Sequence, residues 1–237
     1  MRLGTVLLAG FAAAGAPLLG AAELRPFTAS YNVSWHGMSA GNSQLQLEQL
    51  GDGTWRYSSR NRARGIFRIA LPSELSQRSL FTLQDDQVQP LRFEADDGSD
   101  SSSKGDADLR FDWNRGRVTG RSGGKDVDLP LTPGLQDAMS IQVSLMHALL
   151  RGGTPQRFSM LDGDRVKEYV YTREGSETLA TALGSHETVI FRSARPDSTS
   201  GTWFWCAPDL GYLPVKVERR DGRKVEWSMS LLEAHVD

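Results

Sequence analysis

A run of arginines is the most chemically suggestive pattern in the chain. Arg56, Arg60, Arg62 and Arg64 share one parity within residues 55–65, and Arg68 follows shortly afterwards. Alternate side chains of an extended strand point to one face, so these guanidinium groups would form a basic ladder. The planar guanidinium fork matches carboxylate and phosphate geometry. Arg60, Arg62 and Arg64 are therefore candidates for an anion-binding or partner-docking surface, facing lipid headgroups or anionic glycans. The competing reading is internal pairing with Glu94 and Asp96, or with Asp106, Asp108 and Asp112, at about 0.2–1 kcal/mol per pair. A second pattern is aromatic. Trp203, Phe204 and Trp205 place large groups on both parities of one strand, so both of its faces need cover, from core residues or from an apolar ligand.

Other constellations fall short of a recognisable centre. His36, His147, His186 and His235 have no second His, Cys or carboxylate at helical ligand spacing, and no metal site is expected. His147 is placed on the polar side of a helix, His186 in a loop and His235 at a frayed end. Gly120-Arg121-Ser122-Gly123-Gly124 has the outline of a nucleophile elbow, but it joins two polar strands and reads as a hairpin turn. Dinucleotide and phosphate-loop glycine patterns are absent after residue 22, so neither a cofactor nor a catalytic residue is assigned. Glu94, Asp96, Asp97, Asp100, Asp106 and Asp108 lack the ordered loop of a calcium hand and are expected to be solvated. Cys206, the single cysteine, follows an apolar stretch without a neighbouring cation and is expected to be a buried structural thiol.

The chain has 237 residues, 39% of them hydrophobic and 24% charged, and a formal charge of −2. That balance excludes a strongly basic nucleic-acid binder, a disulfide-stapled mini-protein and a polytopic membrane protein. Arg2, the uncharged run Leu3–Leu19 and the small residues Gly20, Ala21 and Ala22 form the pattern of a cleaved secretory signal. A membrane anchor is the alternative, but the run is short, diluted by Ala and Gly, and broken by Pro17. The expectation is a periplasmic protein: a signal peptide at 1–22, a single β-rich domain at 23–237, and no transmembrane span after cleavage.

These residues must be positioned mainly by strands. Phe27, Ala29, Tyr31, Val33 and Trp35 alternate with polar residues, and Leu45/Leu47 and Trp55/Tyr57 continue the same period of two. Further strands are predicted at 80–83, 88–95, 107–113, 117–120, 125–131, 156–161, 165–173, 177–182, 187–195, 201–207, 213–219 and 224–234. Asn114-Arg115-Gly116, Asp162-Gly163-Asp164 and Arg220-Asp221-Gly222 are turn signals. One amphipathic helix of about four turns is predicted within 134–151, with Met139, Val143, Met146 and Leu150 on one face and Gly152-Gly153 as its stop. A shorter helix or irregular turn is predicted around 65–75, and 99–105 as a solvated loop. The fold class is mainly β (β-rich α+β): a large curled antiparallel sheet or incomplete β-barrel covered by one helix.

Three stretches also carry a family resemblance. They are Tyr31-Asn32-Val33-Ser34-Trp35-His36-Gly37 with Ala40-Gly41, the helix Asp137-Ala138-Met139-Ser140-Ile141 with Leu149-Leu150-Arg151-Gly152, and Trp203 to Lys216. In this order the chain resembles the bacterial exported family catalogued as domain of unknown function 3108, which implies export and a fold but no activity. The last stretch also looks like the closing strands of lipoprotein carriers of the LolA and LolB type. That likeness implies an incomplete barrel, lidded by helices, that holds acyl chains. From it comes the functional expectation of an amphiphile binder whose cavity is lined by Met139, Val143, Met146, Trp203 and Trp205. A structural module docking to an envelope protein is the alternative, and an envelope hydrolase a third.

Overall fold

The computed structural model describes residues 23–71, 73–99, 105–154 and 157–237. The predicted signal peptide and residues 100–104 of the predicted loop lie outside the described residues. From the N-terminus the strands are β1 (Phe27–Trp35), β2 (Met38–Gln49), β3 (Trp55–Ala63), β4 (Leu75–Gln84), β5 (Gln87–Asp96), β6 (Ala107–Asp112), β7 (Arg117–Ser122) and β8 (Lys125–Pro130). After them come β9 (Leu135–Gln136), β10 (Arg157–Asp162), β11 (Arg165–Thr181), β12 (Gly184–Ala194), β13 (Ser200–Ala207), β14 (Leu213–Asp221) and β15 (Lys224–Val236). Helix α1 (Phe67–Ala70) joins β3 to β4, and α2 (Ser140–Leu150) joins β9 to β10.

All fifteen strands belong to one sheet, in the order β8-β7-β6-β5-β4-β3-β2-β1-β15-β14-β13-β12-β11-β10-β9. Chain neighbours pair as antiparallel hairpins, and β1 with β15 joins the two halves, Tyr31 opposite Leu231. Among the described residues, only the β9–β10 pair is parallel. The sheet curls until its two ends approach: Lys125 Nζ on β8 lies 2.9 Å from Asp164 Oδ2 in the β10–β11 turn, and Gln136 Nε2 on β9 donates to the Val88 carbonyl on β5 at 2.9 Å. Burial of the inward parity drives this closure, as alternating strands with one apolar face must cover that face.

Helix α2 lies within the curl and is buried on opposite sides. Met139, Val143 and Met146 join the larger core cluster with Leu135 and Leu161. Ile141, Leu145 and Leu149 join a second cluster with Tyr171, Phe191 and Cys206. A helix apolar on both sides belongs in a core, and the side expected to be polar at His147 is buried as well. The regular helix is three turns long, because Leu135 and Gln136 are taken into the sheet and Asp137 folds back on the first turn.

Other differences have local causes. The segments 165–173 and 177–182 are one strand of 17 residues. The intervening Gly175 marks a bulge opposite β12, not a turn, with φ 149 in a region open to glycine. His147 is buried, at 8% exposure, with Nε2 3.1 Å from Asp86 Oδ1. His186 sits in β12, its Nδ1 2.7 Å from Asp209 Oδ2. His235 belongs to β15 and is paired with Thr28, so the C-terminal strand does not fray there. Cys206 is fully buried, and burial pushes its thiol pKa up, as a structural thiol requires. No helix among the described residues is long and apolar enough to cross a membrane.

Candidate ligand-binding site

Side-chain size decides where the interior stays open. On β3 the inward positions run Trp55, Tyr57, Ser59, Asn61, Ala63; on β2 the matching partners of the last four are Leu47, Leu45, Ser43 and Gly41. On β4 they run Phe81, Ser79, Gln77 and Leu75. Large groups thus gather where β3 begins and small ones where it ends. Helix α2 fills only the first region. Its 11 residues span about 16 Å, less than half of the roughly 40 Å reached by the 12 residues of β2 at 3.4 Å each. It is anchored toward the far end of β4, where Ser79 bonds Asp137 and His147 meets Asp86.

The uncovered end is an apolar hollow of about 570 Å³, within the range of small-molecule sites. Val33, Trp35, Ala63, Leu75, Trp227 and Met229 line it from the strands, and Phe67 and Leu71 border it from the α1 connection. The connection itself is greasy outward: Ile66 is 70% and Ile69 86% exposed. Gly41 is required at this rung, since a Cβ there would stand 2.3 Å from the Arg62 carbonyl oxygen.

Beside the hollow, on the outer face of the same strands, lies a polar depression of about 830 Å³ bordered by Arg60, Arg62, Arg64, Arg68 and Glu74. Asn42, Arg62, Ala63 and Ser73 border both spaces. Arg56, Arg60 and Arg62 alternate along β3, which ends before Arg64, and their carboxylate partners differ from the expected ones. Arg56 bonds Glu48 across the β2–β3 rung, while Glu74 faces both Arg62 and, at 4.0 Å, Arg60. The neighbours of β3 are β2 and β4, so Glu94 instead meets Arg78 and Arg92, and Asp108 meets Arg92.

The other expected lining residues go elsewhere. Met139, Val143 and Met146 are packed at 6%, 0% and 2% exposure and do not border this hollow. Neither Trp203 nor Trp205 borders the hollow: on β13, Phe204 and Cys206 pack in the cluster beneath α2, whereas Trp205, at 4% exposure, lies in the larger core cluster and Trp203 packs against it. Lys216 Nζ lies 4.4 Å from the Trp205 ring centre and Arg220 Cζ 4.8 Å from that of Trp203. Glu218 bonds both cations. Burial alone would raise its carboxyl, but those hydrogen bonds and charges hold it below the usual range. The hollow residues Val33, Ala63, Phe67, Leu71, Trp227 and Met229 were not named as site residues from the sequence. The inward series Trp-Tyr-Ser-Asn-Ala along β3 was the available signal.

A carboxyl shifted upward lies at the start of α2. Asp137 is fully buried and pushed up to about 6 by desolvation, against hydrogen bonds from Ser79, Ser140 and Met139 that favour its charged form. Its Oδ1 accepts from the backbone N–H groups of Met139 and Ser140 at 2.8 and 2.7 Å, which caps a buried helix start. On the surface, carboxylate oxygens of Asp96, Asp97 and Asp106 lie within 4.8 Å of one another, with Asp106 Oδ1 accepting the Asp97 N–H.

A family described as protein of unknown function (DUF3108) matches residues 30–224. No curated protein matches the chain. Among solved structures, a β-barrel-like protein of the domain of unknown function DUF1849 from Brucella abortus aligns with a TM-score of 0.55 at 12% identity, over 90% of this chain and 98% of that one. That likeness extends to the fold alone. MucB aligns over 91% of this chain and 54% of its own, at 12% identity and a TM-score of 0.37, too low to carry an argument.

Proposed function

The chain belongs to the DUF3108 family, and on that premise we propose that it is an exported protein that binds or carries a lipid-like amphiphile. The observation that carries this reading is the hollow of about 570 Å³ at the end of the curl that α2 does not reach. Its lining is mostly apolar, with Asn61 and Gln77 the polar side chains turned inward, so it suits an alkyl chain. Each methylene withdrawn from water there contributes about 0.8 kcal/mol. Exposed Ile66 and Ile69 beside the opening give the chain an apolar contact with a lipid surface, where cargo would enter and leave. Export is inferred from the signal pattern at 1–22. The role resides in Val33, Ala63, Leu75, Met229, Phe67 and Leu71, not in the α2 face at Met139, Val143 and Met146.

Titration of the protein with a fluorescent long-chain fatty acid tests this. Saturable binding of one probe per chain is expected, with loss in Ala63→Trp, whose larger side chain enters the hollow. Absence of saturable binding, or binding indifferent to Ala63→Trp, contradicts it. A second reading, docking to an envelope protein, is favoured by the 86% exposure of Ile69 beside the arginine face. Under it, replacing Arg60, Arg62 and Arg64 with Ser abolishes capture of that partner and leaves the melting temperature unchanged.

A further inference from the structure

We propose that the amphiphile is an anion whose carboxylate or phosphate headgroup is seated by Arg64 and Arg68, with Arg62 at the junction; this rests on the hollow being an alkyl-chain site. The polar depression and the apolar hollow are two halves of one opening, since Arg62, Ala63, Asn42 and Ser73 border both. Its charge is unbalanced. Four arginines face a single carboxylate, and Glu74 is already engaged by Arg60 and Arg62. Among the described residues, the Arg64 and Arg68 side chains have no ion-pair or hydrogen-bond partner.

Their backbones are nevertheless fixed. The Arg64 N–H donates to the Ala40 carbonyl at 2.8 Å, and the Arg68 N–H to the Gly65 carbonyl at 3.3 Å. Gly65, at φ 55, turns the chain so that both arginines border the same depression. Asn42, whose Oδ1 is buried without a partner, stands where chain and headgroup would join. Two spare guanidinium forks at the mouth of an alkyl site match an oxyanion, and their exposure makes the attraction sensitive to salt.

The experiment compares palmitate, hexadecyl phosphate, hexadecanol and inorganic phosphate as competitors of the fluorescent probe on the full protein. Palmitate and hexadecyl phosphate should bind up to about tenfold more tightly than hexadecanol, and the gap should narrow at high salt. Arg64→Ser with Arg68→Ser should remove the gap, leaving hexadecanol binding and the melting temperature unchanged; Arg115→Ser, away from the opening, should preserve it. Equal affinity for acid and alcohol overturns the anionic headgroup while leaving the alkyl site standing. Binding of none of the three alkyl compounds overturns the hollow itself. Tight inorganic phosphate without alkyl binding overturns the amphiphile in favour of a free-anion site.

Discussion

Ser79 Oγ donates a 2.6 Å hydrogen bond to Asp137 Oδ2 across 58 residues of chain, tying the inner face of β4 to the start of α2. This link holds the helix at one end of the curl and leaves the other end uncovered. Asp137 is raised from its ordinary 3.8 to about 6 by burial. A raised carboxyl stabilises the fold in its protonated form, so the contribution is complete below about pH 3.8 and is lost as pH rises through about 6. The shift corresponds to roughly 3 kcal/mol. Asp86, Asp108 and Asp164, held low by their partners, act in the opposite sense. The signature is therefore a difference: urea unfolding of the wild type against Asp137→Asn should show the wild type losing relative stability between about pH 4 and 6.5. Parallel curves would show that Asp137 does not titrate there.

Ser144 Oγ on α2 is buried without a hydrogen-bond partner. Such a hydroxyl costs about 1–3 kcal/mol, and alanine is the better helix former. Ser144→Ala should raise the denaturation free energy by about 1 kcal/mol, read from urea curves. A loss of stability would show that the hydroxyl is bonded in solution.

Gly41 tests the packing at the mouth. A Cβ there meets the Arg62 carbonyl oxygen at 2.3 Å, and backbone cannot swing aside as a flexible side chain would. Gly41→Ala should cost about 1–3 kcal/mol, with a matching fall in melting temperature. A neutral substitution would show that β2 and β3 lie further apart here.

Much of the fold was readable because strand periodicity is local. Phe27, Ala29 and Tyr31 alternate with polar residues, and β1 follows; Asn114-Arg115-Gly116 turns β6 into β7. Strands at 80–83 and 88–95 were predicted, but the turn that pairs them as β4 and β5 was not identified. There Asp85 and Asp86 both adopt positive φ, which Asp tolerates better than most residues but does not announce. Gly175 misled because a glycine in a bulge and a glycine in a turn look alike in one chain. The site was harder, since it depends on which strands become neighbours. Glu74 reaches Arg62 only because β4 folds back beside β3, and Trp205 joins the larger core while Phe204 and Cys206 join the second cluster against α2. Residue sizes along β3 were visible throughout, but the length of α2 relative to the strands gave them meaning.

The ion-pair lattice on β13 and β14 yields a further expectation. Glu218 bonds Lys216 and Arg220, which rest against Trp205 and Trp203. Glu218→Ala leaves two neighbouring cations without their shared carboxylate and should destabilise by about 1–3 kcal/mol, without altering probe binding at the hollow. Loss of probe binding in a folded Glu218→Ala protein would connect the lattice to the ligand site.

The central claim is that the end of the curl beyond α2 holds an alkyl chain, and native mass spectrometry of the protein recovered from cells tests it most directly. The account expects a mass increment of one amphiphile per chain in the wild type and its disappearance in a folded Ala63→Trp protein. A wild-type spectrum showing the bare chain alone even after incubation with palmitate, or an increment that persists in Ala63→Trp, would contradict it.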